Sequence, residues 1–136
     1  MKVIYNKLIP FPGFFAINLF GIMFVREEYK DQKINATTYN HESIHSSQML
    51  DFVFGNKKLL ILGGCIFYIL YFIEWLIKSL ISIFTFGKVK AYYSISFECE
   101  AYDHQRNYRY LNSRKKFNWV KYIFKFKTSK NNYLWK

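Results

Sequence analysis

The sequence predicts an α+β chain, mostly α, in which short N-terminal strands lead into a three-helix core and a C-terminal amphipathic helix. Three observations carry this expectation. Aromatic and β-branched residues crowd two short runs before residue 27, punctuated by Pro, Gly and Asn. Residues 36–55 follow a cluster of capping side chains and stop at Gly55-Asn56. Residues 58–86 are almost unbroken apolar sequence, far longer than a strand, and close at Phe86-Gly87-Lys88. At 136 residues the chain is one domain, large enough for a core but without room for a second.

Within residues 1–35, Val3-Ile4-Tyr5 reads as a strand, and the Pro10-x-Pro12 passage after it is extended because no helix accommodates it. Phe14 to Arg26 reads as one or two strands with Asn18 and Gly21 at turn or bulge positions, and an exposed strand edge of this kind is suited to pairing with an extended peptide. Lys2 and Lys7 precede apolar residues as in a signal peptide, but Pro10, Pro12, Gly13 and Asn18 interrupt the run. The first helix, 36–55, takes Asn35, Thr37 or Thr38 as its cap. The second, 58–86, has no charge between Leu59 and Ile73; Glu74 and Lys78, four apart, are placed to pair on one face. A third helix is expected over 88–112. The basic, aromatic tail 116–136 reads as an interfacial helix over Phe117 to Lys127, continuing in kind through Tyr133, Leu134 and Trp135.

The composition is unusual for a soluble domain: 51% hydrophobic and 22% aromatic, with a formal net charge of +11. A chain this small cannot bury so many rings internally, so part of that surface should meet lipid, and the positive charge suits an anionic membrane. About 20 apolar residues suffice to cross a bilayer, and the second helix exceeds that. Nucleic acid is not expected as a partner, because the aromatics lie in apolar runs and no RNA- or DNA-binding signature is present. Cys65 and Cys99 form no CxxC pair, which argues against a disulfide framework and against thiolate ligation of a metal.

The chemistry centres on His41-Glu42-Ser43-Ile44-His45, an HExxH pattern. Four residues apart on a helix, His41 and His45 aim at one point, which suits Zn2+, while Glu42 sits where it can act as a general base. Catalytic zinc needs a third protein ligand. At helical spacing Glu98 shares a face of the third helix with Ala91, Ala101 and Gln105, whereas Glu100 and His104 share another face. Glu98 is the expected metal ligand, with Glu100 and His104 as alternatives. If the three helices run up, down and up, the first and third are parallel, and a rise of about 1.5 Å per residue brings Glu98 near the start of the first. A second helix that simply crossed the bilayer between them would keep His41, His45 and Glu98 apart.

HExxH followed on a later helix by Glu98-Cys99-Glu100-Ala101 resembles the gluzincin metallopeptidases, most closely the membrane-bound CAAX prenyl proteases with their heat-shock relatives and the β-lactam sensor-transducer peptidases. Asn40-His41-Glu42 with Gln48-Met49-Leu50, and Ser96-Phe97-Glu98 with Glu100-Ala101-Tyr102, also resemble a group of small bacterial proteins. The resemblance implies a metallopeptidase-like core, zinc on His41, His45 and Glu98, Glu42 as base, a peptide or protein substrate, and a bacterial inner-membrane location. Where these families place an aspartate four residues after the ligand glutamate, this chain has Tyr102. Support for the histidines is therefore expected from Asp103, Gln48 or Asp51, and stabilisation of an oxyanion from Tyr102 or His104. The alternative is a non-catalytic membrane protein, an adaptor or regulator whose metal site is structural or decayed.

Overall fold

In the computed structural model, which describes residues 1–128, three short strands form one sheet in the order β1 (Lys2–Asn6), β3 (Ile22–Arg26), β2 (Ala16–Leu19). β1 runs parallel and β2 antiparallel to β3. Phe20 and Gly21, both at positive φ (51° and 78°), make the two-residue turn of the β2–β3 hairpin, the backbone geometry that matches the natural twist of paired strands. Asn18 Oδ1 accepts from Gly21 N–H at 2.9 Å and holds that turn closed. Leu19 and Ile22, flanking the turn, face each other in the ladder, so Ala16 and Asn18 turn their peptide groups outward from the sheet.

Helix α1 (Ala36–Asp51) starts where Asn35 Oδ1 accepts from Thr38 N–H at 2.7 Å, so Asn35 is the cap. It stops as Gly55, at φ 86°, donates its N–H to Leu50 O. A 3-10 turn (Lys57–Leu59) leads into α2 (Leu60–Phe84), which ends at the positive-φ pair Phe86 and Gly87. α2 is long and apolar enough to cross a membrane, and its outer faces leave Ile61, Ile69, Phe72, Leu76, Leu80 and Ile83 exposed. Gly63 lets α2 approach the α1 backbone, since a Cβ there would run into the Met49 carbonyl.

The third helix is not continuous. It divides into α3 (Ala91–Ser94), α4 (Ser96–His104) and, after a turn, α5 (Tyr110–Ser113). The break falls at Ile95, with an extended ψ of 131°, and its cause lies on another element: the Glu74 carboxylate of α2 accepts from Ser96 N–H at 2.9 Å and Ser96 Oγ at 2.6 Å. A distant side chain thus caps α4 at a point where the local sequence has no stop signal. The direction of α4 also differs from the expected one. Gln48 meets Phe97, His45 meets Glu98, His41 meets Tyr102 and Asn40 meets Gln105, so α4 runs antiparallel to α1, not parallel.

The expected pair of Glu74 and Lys78 is present at 3.8 Å. Over Phe117 to Lys127, however, the chain forms a 3-10 turn (Asn118–Tyr122) and then an extended stretch, in place of the expected amphipathic helix. Its backbone groups find tertiary partners: Lys78 Nζ takes the carbonyls of Ile123 and Lys125, Lys127 N–H donates to Ser94 Oγ, and Lys127 O accepts from Lys90 N–H. Tyr133, Leu134 and Trp135 lie outside the described residues. The core joins Met49 of α1, Phe67 of α2, Ile95 and Phe97, while a second cluster packs Ile44 on Ala101 and Tyr110.

Replacing Gly63 by Ala should lower the free energy of unfolding by about 1–3 kcal/mol, because the new methyl overpacks a helix crossing that rests on backbone. Urea titration of the two proteins checks this, with an unchanged midpoint as the contrary result.

Candidate metal centre

The antiparallel seam between α1 and α4 brings His41, His45 and Glu98 together as a buried cluster that could hold a metal ion, with their ligand atoms all within 4.8 Å of one another. His41 Nε2 and His45 Nε2 stand 3.1 Å apart. Glu98 Oε2 lies 3.4 Å from His41 Nε2, and Oε1 lies 3.4 Å from His45 Nε2. A tetrahedral ion with bonds of about 2.0–2.1 Å separates its ligand atoms by about 3.3 Å, so these spacings fit one. The donor set points the same way: Glu98 Oε2 is buried and has no hydrogen-bond partner among the described residues, an expensive condition for a carboxylate oxygen. Tyr71 of α2 donates its hydroxyl to Glu98 Oε1 at 2.9 Å and fixes the carboxylate's plane.

Gln48 orients the second histidine. Its Nε2 donates to Phe97 O at 3.0 Å and Glu100 Oε2 at 2.9 Å, both acceptors, so its Oε1 is the atom that accepts from His45 Nδ1 at 2.8 Å. With Nδ1 carrying the proton, the Nε2 lone pair is turned into the cluster. Behind Gln48, Glu100 takes Arg114 Nε at 2.7 Å and the Tyr110 hydroxyl at 2.6 Å, while Arg114 grips Asp51 through both terminal nitrogens at 2.9 and 2.8 Å. Each of these side chains is almost fully buried.

Electrostatics follow from burial and neighbours. Burial pulls the His45 imidazole down, but the Glu98 carboxylate outweighs it and pushes the ring up to about 9. Burial would raise Glu98, yet His45 and His41 hold its carboxyl well below the usual range. Glu42 is raised by burial, with His41 and His45 pulling partly against the shift. Burial works on Glu100 in the same upward sense, and the Arg114 hydrogen bond and charge reverse it, leaving the carboxyl below its ordinary value.

Two cavities reach His41 and Glu42. One, about 510 Å³, has Gln32, Lys33, Asn35 and Thr38 on its wall, together with Tyr92, Tyr93 and Tyr102. The other, about 480 Å³, is walled by aromatic rings, among them Phe11, Phe14, Phe67, Phe72 and Trp75, and also touches His45 and Glu98. The edge strand β2 contributes Ala16 to both.

The cluster unites His41, His45 and Glu98, with Glu42 beside it and Gln48 behind it. Tyr102 packs edge-on against His41, ring centroids 4.6 Å apart, where an aspartate would have offered a hydrogen bond. Three expected roles are corrected. His104 stacks on Tyr110 and lies 3.2 Å from the Tyr122 hydroxyl, lining neither cavity, because α4 turns it toward the C-terminal segment. Asp103 lies on the outer side of α4, 3.7 Å from Lys127. Asp51 supports no histidine directly; Arg114 and the Phe117 N–H occupy its carboxylate. Sequence reasoning missed Tyr71 and Arg114. Tyr71 was within reach, since Tyr68, Tyr71, Glu74, Lys78 and Ser82 make a polar stripe at helical spacing on α2. Arg114 left no local signal. Comparison with protein-family models, curated proteins and solved structures gives no match.

Glu98→Ala should abolish stoichiometric metal in the purified protein, whereas Glu100→Ala should keep the metal but lose about 3–5 kcal/mol of stability, because it removes the buried acceptor shared by Arg114 Nε, the Tyr110 hydroxyl and Gln48 Nε2; metal analysis and urea unfolding separate the two. In metal-free protein the His45 contribution to stability should be fully present below about pH 6.5, its ordinary value, and fade as pH rises through about 9. Metal uptake at neutral pH should accordingly release protons, measurable with an indicator dye, and a proton-neutral uptake would contradict this.

Proposed function

We propose that this protein is a membrane-associated, gluzincin-type zinc metallopeptidase. The observation that carries the reading is the convergence of two imidazole nitrogens and one carboxylate in a buried cluster beside Glu42, with cavities that leave room for substrate. Two histidines and one glutamate suit zinc better than calcium or magnesium, which favour all-oxygen sites. A purely structural zinc site would be closed by a fourth protein ligand, and among the described residues the cluster has three.

Zinc, when bound, would supply a Lewis acid that polarises a peptide carbonyl and lowers the pKa of a water molecule. Glu42 is the general base: burial raises its pKa, so it takes the water's proton and passes it to the departing amine nitrogen. The water oxygen bonds to the carbonyl carbon, the C–N bond breaks, and a carboxylic acid and an amine result. Tyr102, whose ring lies beside His41 on the cavity wall, supplies in this reading the hydroxyl that donates to the developing oxyanion. Tyr71 keeps Glu98 oriented, and Gln48 keeps the His45 lone pair forward. On β2 the Ala16 peptide group, turned outward at the cavities, offers an edge for main-chain pairing with an extended substrate.

The membrane part of the reading is supported by the outer faces of α2, which are apolar along their length, and by Lys57, Lys58, Lys88 and Lys90 at its two ends. The inner face of α2 packs on α1 and α3 and holds Glu98 through Tyr71.

Glu42→Gln should retain one metal per chain and lose at least about a hundredfold in peptide hydrolysis, the low end of a general-base contribution. Metal content by mass spectrometry and turnover of a fluorogenic peptide library provide the measurements. Full turnover by Glu42→Gln would sink the assignment of the base, and no hydrolysis by the zinc-loaded natural protein would sink the peptidase.

A further inference from the structure

Two cavities of similar volume, about 510 and 480 Å³, share His41, Glu42, Phe14, Ala16 and Tyr92, yet the first mixes polar side chains with its rings while the second is almost wholly apolar. Gln32, Lys33, Asn35 and Thr38 give the first a polar mouth. The second is bounded by Phe11 and Phe14 from the loop after β1 and by Phe72 and Trp75 from one flank of α2. Those four rings are themselves 79, 53, 56 and 39% exposed. The α2 flank that carries Phe72 and Trp75 continues into the exposed Ile69, Leu76 and Ile83 without an intervening charge. The aromatic cavity therefore shares its α2 wall with the apolar exterior of that helix, whereas α2 contributes no described residue to the lining of the other cavity.

Resting on the peptidase reading, we infer that the substrate is a membrane-resident peptide cut where an apolar segment gives way to a polar one, with its apolar half seated in the aromatic cavity and its polar half in the other. An apolar segment arriving from lipid enters the aromatic cavity without crossing water, and its side chains replace contacts already made with lipid tails. The reverse orientation would bury a hydrated segment among the rings of the aromatic cavity, where few polar groups replace its water, and leave the apolar half beside Gln32 and Lys33, which costs desolvation. The wall polarity thus fixes the orientation as well as the class of the substrate.

The test uses zinc-loaded, full-length Glu42→Gln protein and a peptide with one half Leu and Phe and the other half Ser and Gln, carrying bromophenylalanine in one half or the other. Trp75 stands on the wall of the aromatic cavity, so bromine in the apolar half should quench its emission and bromine in the polar half should not, with Trp75→Phe isolating its share. Equal quenching from both halves, or none, overturns the inference. Phe72→Ser should weaken binding of the amphipathic peptide about tenfold, as loss of apolar pocket contacts does, with zinc content and binding of an all Ser/Gln peptide unchanged; unchanged affinity for the amphipathic peptide also overturns it. In vesicles of dibrominated phosphatidylcholine and phosphatidylglycerol without peptide, Trp75 emission should fall, and undiminished emission overturns delivery from lipid. Asymmetric quenching by a peptide that the natural protein fails to cut defeats the peptidase reading while leaving the orientation of the bound peptide established.

Discussion

A carboxylate placed in a protein interior must be matched by positive charge, metal or hydrogen bonds, or it will not stay ionised. Glu98 is such a group, buried between two imidazoles of α1 and tied to Tyr71 of α2, and three helices are committed to satisfying it. Two residues on, Glu100 faces Arg114, Tyr110 and Gln48 and poses the same requirement in a different direction. α4 is only nine residues long, yet it carries both carboxylates, so its position is constrained on opposite sides. Short helices are marginal on their own, and this one owes its place to partners rather than to propensity.

Gln48 is the joint between the two charged groups. It accepts from His45 and donates to Glu100, which makes the orientation of a histidine depend on an arginine contributed by the segment after α5. Such a chain of partners resists loosening, because losing one member leaves the next a buried, unpaired group. Tyr102 braces the His41 ring by edge-on packing, and the hydrogen-bond support falls on the other histidine.

The apolar exterior and the polar interior of α2 are two halves of one arrangement. Tyr68, Tyr71, Glu74 and Lys78 face inward, where Tyr68 donates to Asn18 O, Glu74 caps α4 and Lys78 takes carbonyls from the C-terminal segment. Beside the buried Phe67, the helix therefore turns its polar side chains toward the protein and apolar side chains outward, the reverse of a surface helix in a soluble domain. The same inversion explains how a chain with 15 Phe and 12 Tyr keeps a small core: many of its rings line cavities or face outward.

Read alone, the sequence determined the α+β, mostly α class, the strands and their turn, the presence of α1 and α2 with their cap and stop residues, and the pairing of His41 with His45, because each depends on residues within a few positions of one another. Strand propensity, Asn35 as a cap and Gly55 and Gly87 as stops act through backbone that is close in the chain. Helical spacing also put Glu98 on the correct face, although the parallel packing assumed for it was wrong. Only tertiary structure decided the break at Ile95, where a carboxylate 22 residues earlier caps α4, and the antiparallel course of α4 against α1. The same holds for the C-terminal stretch, whose basic pattern suggested a helix until Lys78 and Ser94 claimed its backbone groups, and for the placing of His104, Asp103 and Asp51 away from the histidines. Arg114 could not be read in advance, since its partners Asp51 and Glu100 lie 63 and 14 residues away and only a buried carboxylate seeking a cation gives it a role.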